Sequence, residues 1–267
     1  MMTPDNLNPA DPNANALLTV YQVQIAMNMN GSLYANTQVS MGNFFDVSVQ
    51  KTTYGNLAFL VSYAFGCELW APWSEELGRK WLMQASMALV ILFTAVIPLS
   101  PNFATVIVLR LLTGLSTAGG SLTLGVAADM YKPHQQQHAV AFIAWGSMLG
   151  SALPPIAGGF MEQHLGAVGW KWCFWLIALS GGLVQLLHLW IVPETTYKTA
   201  LDRYAKKCRE SAQREGSESS DLNLYGPTEG ISIHDRLELK EFGQTVFRPF
   251  KFLFVSNYVL FQGSKQD

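Results

Sequence analysis

Isolated ionisable side chains within apolar stretches are the first candidates for chemistry in this sequence. Arg110 is the one charged residue between positions 81 and 128, and Glu68 lies in the apolar stretch 53–73. An ionisable side chain in such surroundings is energetically expensive and is by default a functional hypothesis. We expect Glu68 either to carry a proton or to reach nearby water. Arg110 either has a functional role or extends its side chain to the nearest surface.

A polar stripe near the N-terminus is the second candidate. Tyr21, Gln24 and Asn28 recur at helical spacing, so they share one helix face. Their side chains can hydrogen-bond a ligand or water, or they can pack against neighbouring helices.

The segment APWSEELGRKWLM, residues 71–83, concentrates charge between two apolar stretches. Glu75, Glu76, Arg79 and Lys80 fall close together, and Gly78 can adopt the positive φ that a tight turn needs. Glu75, at the end of one helix, is placed to pair with Arg79 or Lys80. The alternative is that the basic residues only fix the orientation of two membrane spans.

The composition indicates which elements must position these residues. The chain is 49% hydrophobic and 13% charged, whereas soluble domains carry about a quarter charged residues. Charged residues are absent from 81–109, 111–128, 133–161 and 172–193. A membrane-spanning helix needs roughly 20 mostly apolar residues, so we predict an all-α membrane protein. The net charge of −2 gives no indication of nucleic-acid binding, and the three cysteines lack metal-ligand spacing.

Six spans are predicted, at 16–35, 53–73, 81–99, 103–128, 139–160 and 172–192. They form a six-helix transmembrane bundle over residues 16–192. Residues 1–15 are expected to be a disordered cytoplasmic tail, and residues 193–249 a charged cytoplasmic central loop. Residues 250–267 are expected to be a truncated seventh span and tail.

The basic residues predict the orientation of the bundle. A cytoplasmic turn at 71–83 places on the same side Arg79, Lys80, Lys132 and the basic residues between Lys198 and Lys251. Only Lys51 and Lys171 then flank the spans on the outer side, as the positive-inside rule requires.

The fifth span contains a repeat of small residues, WGSMLGSALPPIAGGF. Gly146, Gly150, Pro154 and Gly158 recur every four residues and form one slowly drifting face. Small residues on such a face let helix backbones approach closely. Pro154 and Pro155 remove backbone donors and are expected to bend the helix.

Four motifs together resemble the N-terminal half of a major facilitator superfamily transporter, most closely the fungal drug:proton antiporter branch. The first is the hinge, in which Gly78, Arg79 and Lys80 match and Glu75 takes the place of the acidic residue. The others are LRLLTGLSTAGG with Arg110, Gly114 and Gly119; PPIAGG with Pro155, Gly158 and Gly159; and GWKW before and PETTY after the sixth span.

The resemblance implies roles for these residues. The hinge would be a conformational latch whose partner is Asp129, and Arg110 would take part in proton coupling. Tyr21, Gln24 and Asn28 would line the substrate cavity, because the first span lines it in the family. The departures are Ala71, Trp73 and Glu76 in the hinge, and Pro154 in place of the first glycine of the antiporter signature.

The function expected from the resemblance is secondary active transport by alternating access. The substrate would be a small organic molecule such as a drug, toxin or metabolite, and a proton gradient would supply the energy. We expect a plasma-membrane protein surrounded by lipid, without enzymatic activity, cofactor, metal or nucleic-acid partner. A second half-transporter is a further expected partner, because it would supply the opposite cavity wall. The alternative is a truncated half that does not transport but binds or modulates an intact relative.

Overall fold

The computed structural model describes residues 12–77, 79–131 and 133–191, and the regular elements within these ranges are all helical. This confirms the predicted all-α class. The predicted central loop (193–249), the seventh segment (250–267) and residues 1–11 of the predicted tail lie outside the described residues.

Eight α-helices, joined into six rods, make up the described part of the chain. They are α1 (Pro12–Ser32), α2 (Tyr34–Phe45), α3 (Val49–Leu77), α4 (Arg79–Val96), α5 (Phe103–Thr117), α6 (Leu122–Met130), α7 (Pro133–Leu165) and α8 (Gly169–Ile191). Leu33 keeps helical backbone angles, so α1 continues into α2. A 3-10 segment, Ala118–Ser121, likewise joins α5 to α6.

The first rod differs most from its predicted span. It begins at Pro12 and ends at Phe45, whereas the sequence predicted 16–35. The added part, α2, carries amides and hydroxyls that a hydropathy window counts as non-membrane. One of these amides is satisfied by packing against α7: the Asn36 Nδ2 donates to the backbone oxygen of Pro155 at 2.8 Å. At its end, Asp46 adopts a left-handed conformation and donates its N–H to the Gly42 oxygen.

Neighbouring rods pack most extensively in two pairs, α3 against α5 and α1 against α7, followed by α4 against α8, α1 against α8 and α4 against α5. At the end of the bundle nearest the α3–α4 turn, the apolar core includes Val20, Met83 and Ile143. At the opposite end it includes Leu33, Ile97 and Trp170. The two ends are thus closed by separate clusters, and the polar groups described below lie between them.

The outside of the bundle is apolar. Leu99, Leu179 and Trp190 are 70%, 68% and 89% exposed, which would be unfavourable in water but suits lipid. Three stretches are long and apolar enough to cross a bilayer: Arg79–Leu99, Phe103–Ala127 and Gln135–Trp190, the last containing both α7 and α8. The bundle is therefore an integral membrane structure, whereas spanning by α1 and α3 stays a prediction.

Candidate functional site

The small residues of α7 lie against α1 and α2. A Cβ atom built on Gly146 would lie 2.7 Å from the Tyr21 ring, and one on Gly150 would lie 2.6 Å from the Ile25 backbone oxygen. At Gly158 it would lie 2.7 Å from Leu33 Cδ1. The interface therefore depends on the absence of side chains at these positions. Gly159 is looser, since its nearest neighbour, Asn36 Nδ2, would be 3.6 Å away.

The two prolines of α7 lie inside a helix that runs unbroken to Leu165. Pro154 has no N–H, so it leaves the carbonyl of Gly150, four residues earlier, without its helical partner. The Ser32 hydroxyl donates to this oxygen at 3.1 Å. The first rod thus supplies the hydrogen bond that the proline removes.

Gly114 has the same packing role between α5 and α3. A Cβ atom here would overlap the Ser62 hydroxyl and the Phe59 backbone oxygen. Just beyond it, Trp70 Nε1 donates to the Leu115 oxygen at 2.8 Å. The Ser86 hydroxyl donates to the Ser116 oxygen at 2.7 Å, so side chains hold the junction of α5 with its 3-10 segment.

Arg110 is fully buried in the middle of the bundle and does not extend to the surface. Its Nη1 donates to the backbone oxygen of Asn30 at 3.0 Å and to Asn30 Oδ1 at 3.1 Å. The guanidinium carbon lies 4.3 Å from the ring centroids of both Tyr34 and Phe59. Two aromatic faces and an amide therefore surround this cation.

Asn30 connects three helices, a role that the sequence did not predict for it. While its oxygens accept from Arg110 of α5, its Nδ2 donates to Thr94 Oγ1 of α4 at 3.1 Å. Asn30 is itself fully buried. The available signal was an amide in an apolar span, because such a group requires a partner away from lipid.

A cavity of about 300 Å³ lies beside this network, between α1, α3, the α5–α6 junction and α7. The wall of the cavity is polar but uncharged along α1 and α7, where it includes Gln24, Asn28, Ser32 and Ser151. On the α3 side it is aromatic, with Phe59 and Tyr63. Such a surface can offer hydrogen bonds and ring stacking to one ligand.

The three predicted substrate-binding residues do not share one environment. Gln24 and Asn28 line the cavity. Gln24 also bridges two helices, since its Nε2 donates to Ser147 at 3.3 Å and its Oε1 accepts from Thr123 at 3.0 Å. Tyr21 instead stacks on Phe142 with ring centroids 4.4 Å apart. It does not line the cavity and belongs to the α1–α7 packing.

The two residues predicted to couple protons are not brought together. Glu68 is half-buried on α3, nine positions after Phe59, the α3 residue that contacts Arg110. At 1.5 Å per residue, this separation is roughly 13 Å along the helix. Any coupling between Glu68 and Arg110 is therefore indirect.

The predicted latch is only partly within the described side chains. The guanidinium of Arg79 lies against the backbone of Gly125 in α6. Asp129 follows Gly125 by four positions, so the two positions are neighbours on one face of the same helix. Lys80 lies 6.0 Å from the Trp81 ring centroid. Gly78 and the side chains of Glu75 and Asp129 lie outside the described set.

Comparison with known proteins identifies the family. The sequence profile of the Major Facilitator Superfamily matches residues 19–263. The chain is 33% identical over 183 residues to the MFS-type transporter hepF of Aspergillus oryzae, covering 67% of this chain and 37% of that protein. It is 31% identical over 204 residues to the efflux pump radE of Floropilus chiversii, covering 74% and 34%. The chain therefore spans little more than a third of the length of these relatives.

Solved structures share the fold. The proton:xylose symporter XylE, bound to 6-bromo-6-deoxy-D-glucose, superimposes with a TM-score of 0.62 at 14% identity, over 94% of this chain and 56% of that one. The human organic anion transporter MFSD10 gives 0.55 at 20% identity, over 69% and 49%. These likenesses, the sequence profile and the two fungal relatives lead to one conclusion: the chain belongs to the Major Facilitator Superfamily.

Proposed function

We propose that this chain acts as the N-terminal half of a secondary active transporter. In this proposal it moves a small organic molecule across a membrane by alternating access. Transporters of this kind bind substrate near the bilayer midplane, between two halves that rock against each other. The described helices would form one of these halves.

The observation that carries the proposal is the polar, aromatic cavity of about 300 Å³ between α1, α3, the α5–α6 junction and α7. Ligand pockets typically combine an apolar or aromatic wall with a few placed polar groups. Phe59 and Tyr63 supply the former, and Gln24 and Asn28 supply the latter. Export of a drug, toxin or metabolite is the favoured direction, since a named relative is an efflux pump.

Proton coupling is a further part of the proposal. Arg110 is buried next to Phe59, which lines the cavity, so its charge acts on the cavity through a medium of low dielectric constant. Glu68 is the candidate proton carrier, because it is a half-buried carboxyl on α3.

The latch and the membrane orientation complete the proposal. Arg79, Lys80, Glu75 and Asp129, with Gly78 at the turn, would hold the cytoplasmic ends of α3, α4 and α6 together in one conformation. The contact of Arg79 with Gly125 supports this arrangement. The bundle would lie in the plasma membrane with its N-terminus and central loop in the cytoplasm, as the distribution of basic residues favours.

Reconstitution into liposomes tests the proposal. The purified chain is placed in vesicles with an imposed pH gradient, and movement of a fluorescent organic substrate is followed with and without a proton ionophore. Accumulation that collapses with the ionophore is the expected result. Transport that ignores the ionophore contradicts the coupling but not the transport.

The non-transporting alternative gives a different result in the same assay. A chain that moves nothing by itself, yet changes the transport rate of an intact co-reconstituted relative, would favour the modulator. Measuring the oligomeric state alongside shows whether two copies supply both cavity walls.

A further inference from the structure

We propose that the cavity accepts uncharged or anionic hydroxy-aromatic molecules and excludes cations. The proposal rests on the function proposed above and specifies the substrate class of the same site. It follows from two observations: the chemistry of the cavity wall, and the uncompensated charge of Arg110 beside it.

The described wall of the cavity provides no anionic side chain to pair with a cation. Among the described residues that line it, each side chain is uncharged. Gln24, Asn28, Ser32 and Ser151 offer hydrogen bonds, and the rings of Phe59 and Tyr63 offer faces on which a planar ring can stack. Hydroxyl and carbonyl groups on an aromatic frame are the chemistry that matches this set.

The Arg110 charge is not neutralised within the described part of the chain. Both oxygens that accept from its Nη1 belong to Asn30 and are neutral. Its Nε and Nη2 have no hydrogen-bond partner among the described residues, although the side chain is fully buried. No anionic side chain among the described residues that contact the guanidinium therefore offsets its positive charge.

One residue, Phe59, contacts both this charge and the cavity. Phe59 lies 4.3 Å from the guanidinium carbon and also lines the cavity. A ligand charge on the far side of the ring would be on the order of 8 Å from the guanidinium, where an effective dielectric constant of about 20 gives a roughly 30-fold effect for each unit charge. A cation is disfavoured by this factor and an anion is favoured by a similar one.

Three matched probes test how the binding affinity depends on the charge of the ligand. Methyl 4-hydroxybenzoate, 4-hydroxybenzoate and (4-hydroxyphenyl)trimethylammonium share a ring and a hydroxyl but differ in charge. Their affinities for the purified chain in a neutral detergent are measured by equilibrium dialysis at low salt. We expect the ester to bind and the carboxylate to bind at least 30-fold more tightly than the ammonium. The proposal is overturned if the ester does not bind, or if the ammonium binds as well as the carboxylate.

Substitutions near Arg110 assign the effect to its charge. Arg110→Gln removes the charge, and we expect the carboxylate and the ammonium to bind within about fivefold of each other, whereas Arg110→Lys keeps the wild-type order. Asn30→Asp is an independent variant that places a carboxylate against the guanidinium, with the same expected loss of discrimination. If the order persists in both Arg110→Gln and Asn30→Asp, Arg110 is not its source and the proposal fails.

The binding result is independent of transport. A chain that binds the probes in the expected order but moves no substrate in liposomes would contradict the proposed function and leave the charge selectivity intact. A chain that transports substrate but binds the ammonium and the carboxylate equally tightly would contradict the charge selectivity and leave the proposed function intact.

Discussion

Helix α1 packs differently against α7 than it does towards α3 and α5. Towards α7 it meets glycines, and the backbones approach so closely that a Cβ atom at Gly150 would lie 2.6 Å from the Ile25 oxygen. Towards α3 and α5 it meets a cavity and a buried arginine held by Asn30. The first side is close-packed at these glycines, whereas the second contains most of the cavity wall and an incompletely satisfied charge.

The two sides of α1 differ in what they would contribute to the protein. Close backbone packing gains dispersion energy and holds two helices in a fixed relation. A cavity and a buried charge lower stability, and proteins generally retain such features where a ligand or an ion is handled. In the proposed function the α7 side would serve stability and the α3–α5 side ligand binding, so substitutions on the two sides should affect different measurements.

The largest loss of stability is expected from a substitution on the α7 side of α1. Gly150→Ala places a methyl group 2.6 Å and 2.8 Å from the backbone oxygen and Cα of Ile25, which cannot move without shifting α1. We expect a loss of about 3 kcal/mol of stability, seen as a lower unfolding temperature in detergent. Gly182→Ala is the matched control, because a Cβ atom there meets nothing within 4 Å. Equal unfolding temperatures for the two variants would contradict the close-packed interface.

A smaller loss of stability is expected on the functional side. Asn30→Ala removes one acceptor, Oδ1, and one donor, Nδ2, from the buried network and leaves Arg110 with one hydrogen bond fewer. The expected destabilisation is about 2 kcal/mol, measured in the same unfolding experiment. Asn28→Ala is the control, since the Asn28 Nδ2 bonds only within its own helix, to the Gln24 oxygen. A wild-type unfolding temperature for Asn30→Ala would show that Arg110 has other support.

Sequence reasoning predicted the rods better than the site. Apolar stretches of adequate length, four of them without charged residues, indicated six helices because hydrophobic burial acts over whole segments. A four-residue repeat singled out the packing face of α7. The contacts of Arg110 depend on three-dimensional pairing between residues 80 positions apart, for which periodicity carries no signal. The same limit applies to Tyr21, whose helical spacing matches that of Gln24 and Asn28 although its ring turns towards Phe142.

Substitutions of Tyr21 and Asn28 should have different effects on ligand affinity. Asn28 lines the cavity, so Asn28→Ala should weaken binding of the neutral ester about fivefold, the effect of losing one hydrogen bond. Tyr21→Phe keeps the stacked ring and should leave the dissociation constant unchanged. Equilibrium dialysis of both variants checks the pair, and a weaker ester affinity in Tyr21→Phe would extend the functional side of α1 to that residue.

The smallest effect, a change in amide hydrogen exchange, is expected at the end of the bundle that carries Arg79. Its guanidinium lies against Gly125, so Arg79→Ala should loosen the end of α6 and raise amide hydrogen exchange there by a few-fold, as for a partly exposed charged contact. Lys51→Ala, at the opposite end, is the control. Unchanged exchange after Arg79→Ala would mean that this arginine does not hold α6 in place.

The hydrogen bond from Ser32 to Gly150 has a mechanical consequence. The carbonyl that Pro154 frees is satisfied by the first rod, so sliding α1 along α7 would leave a buried oxygen without a hydrogen-bond partner. Helices α1 and α7 are therefore expected to move as one rigid unit. When this half-bundle changes shape, we expect the movement at the interface of α1 with α3 and α5, beside the cavity.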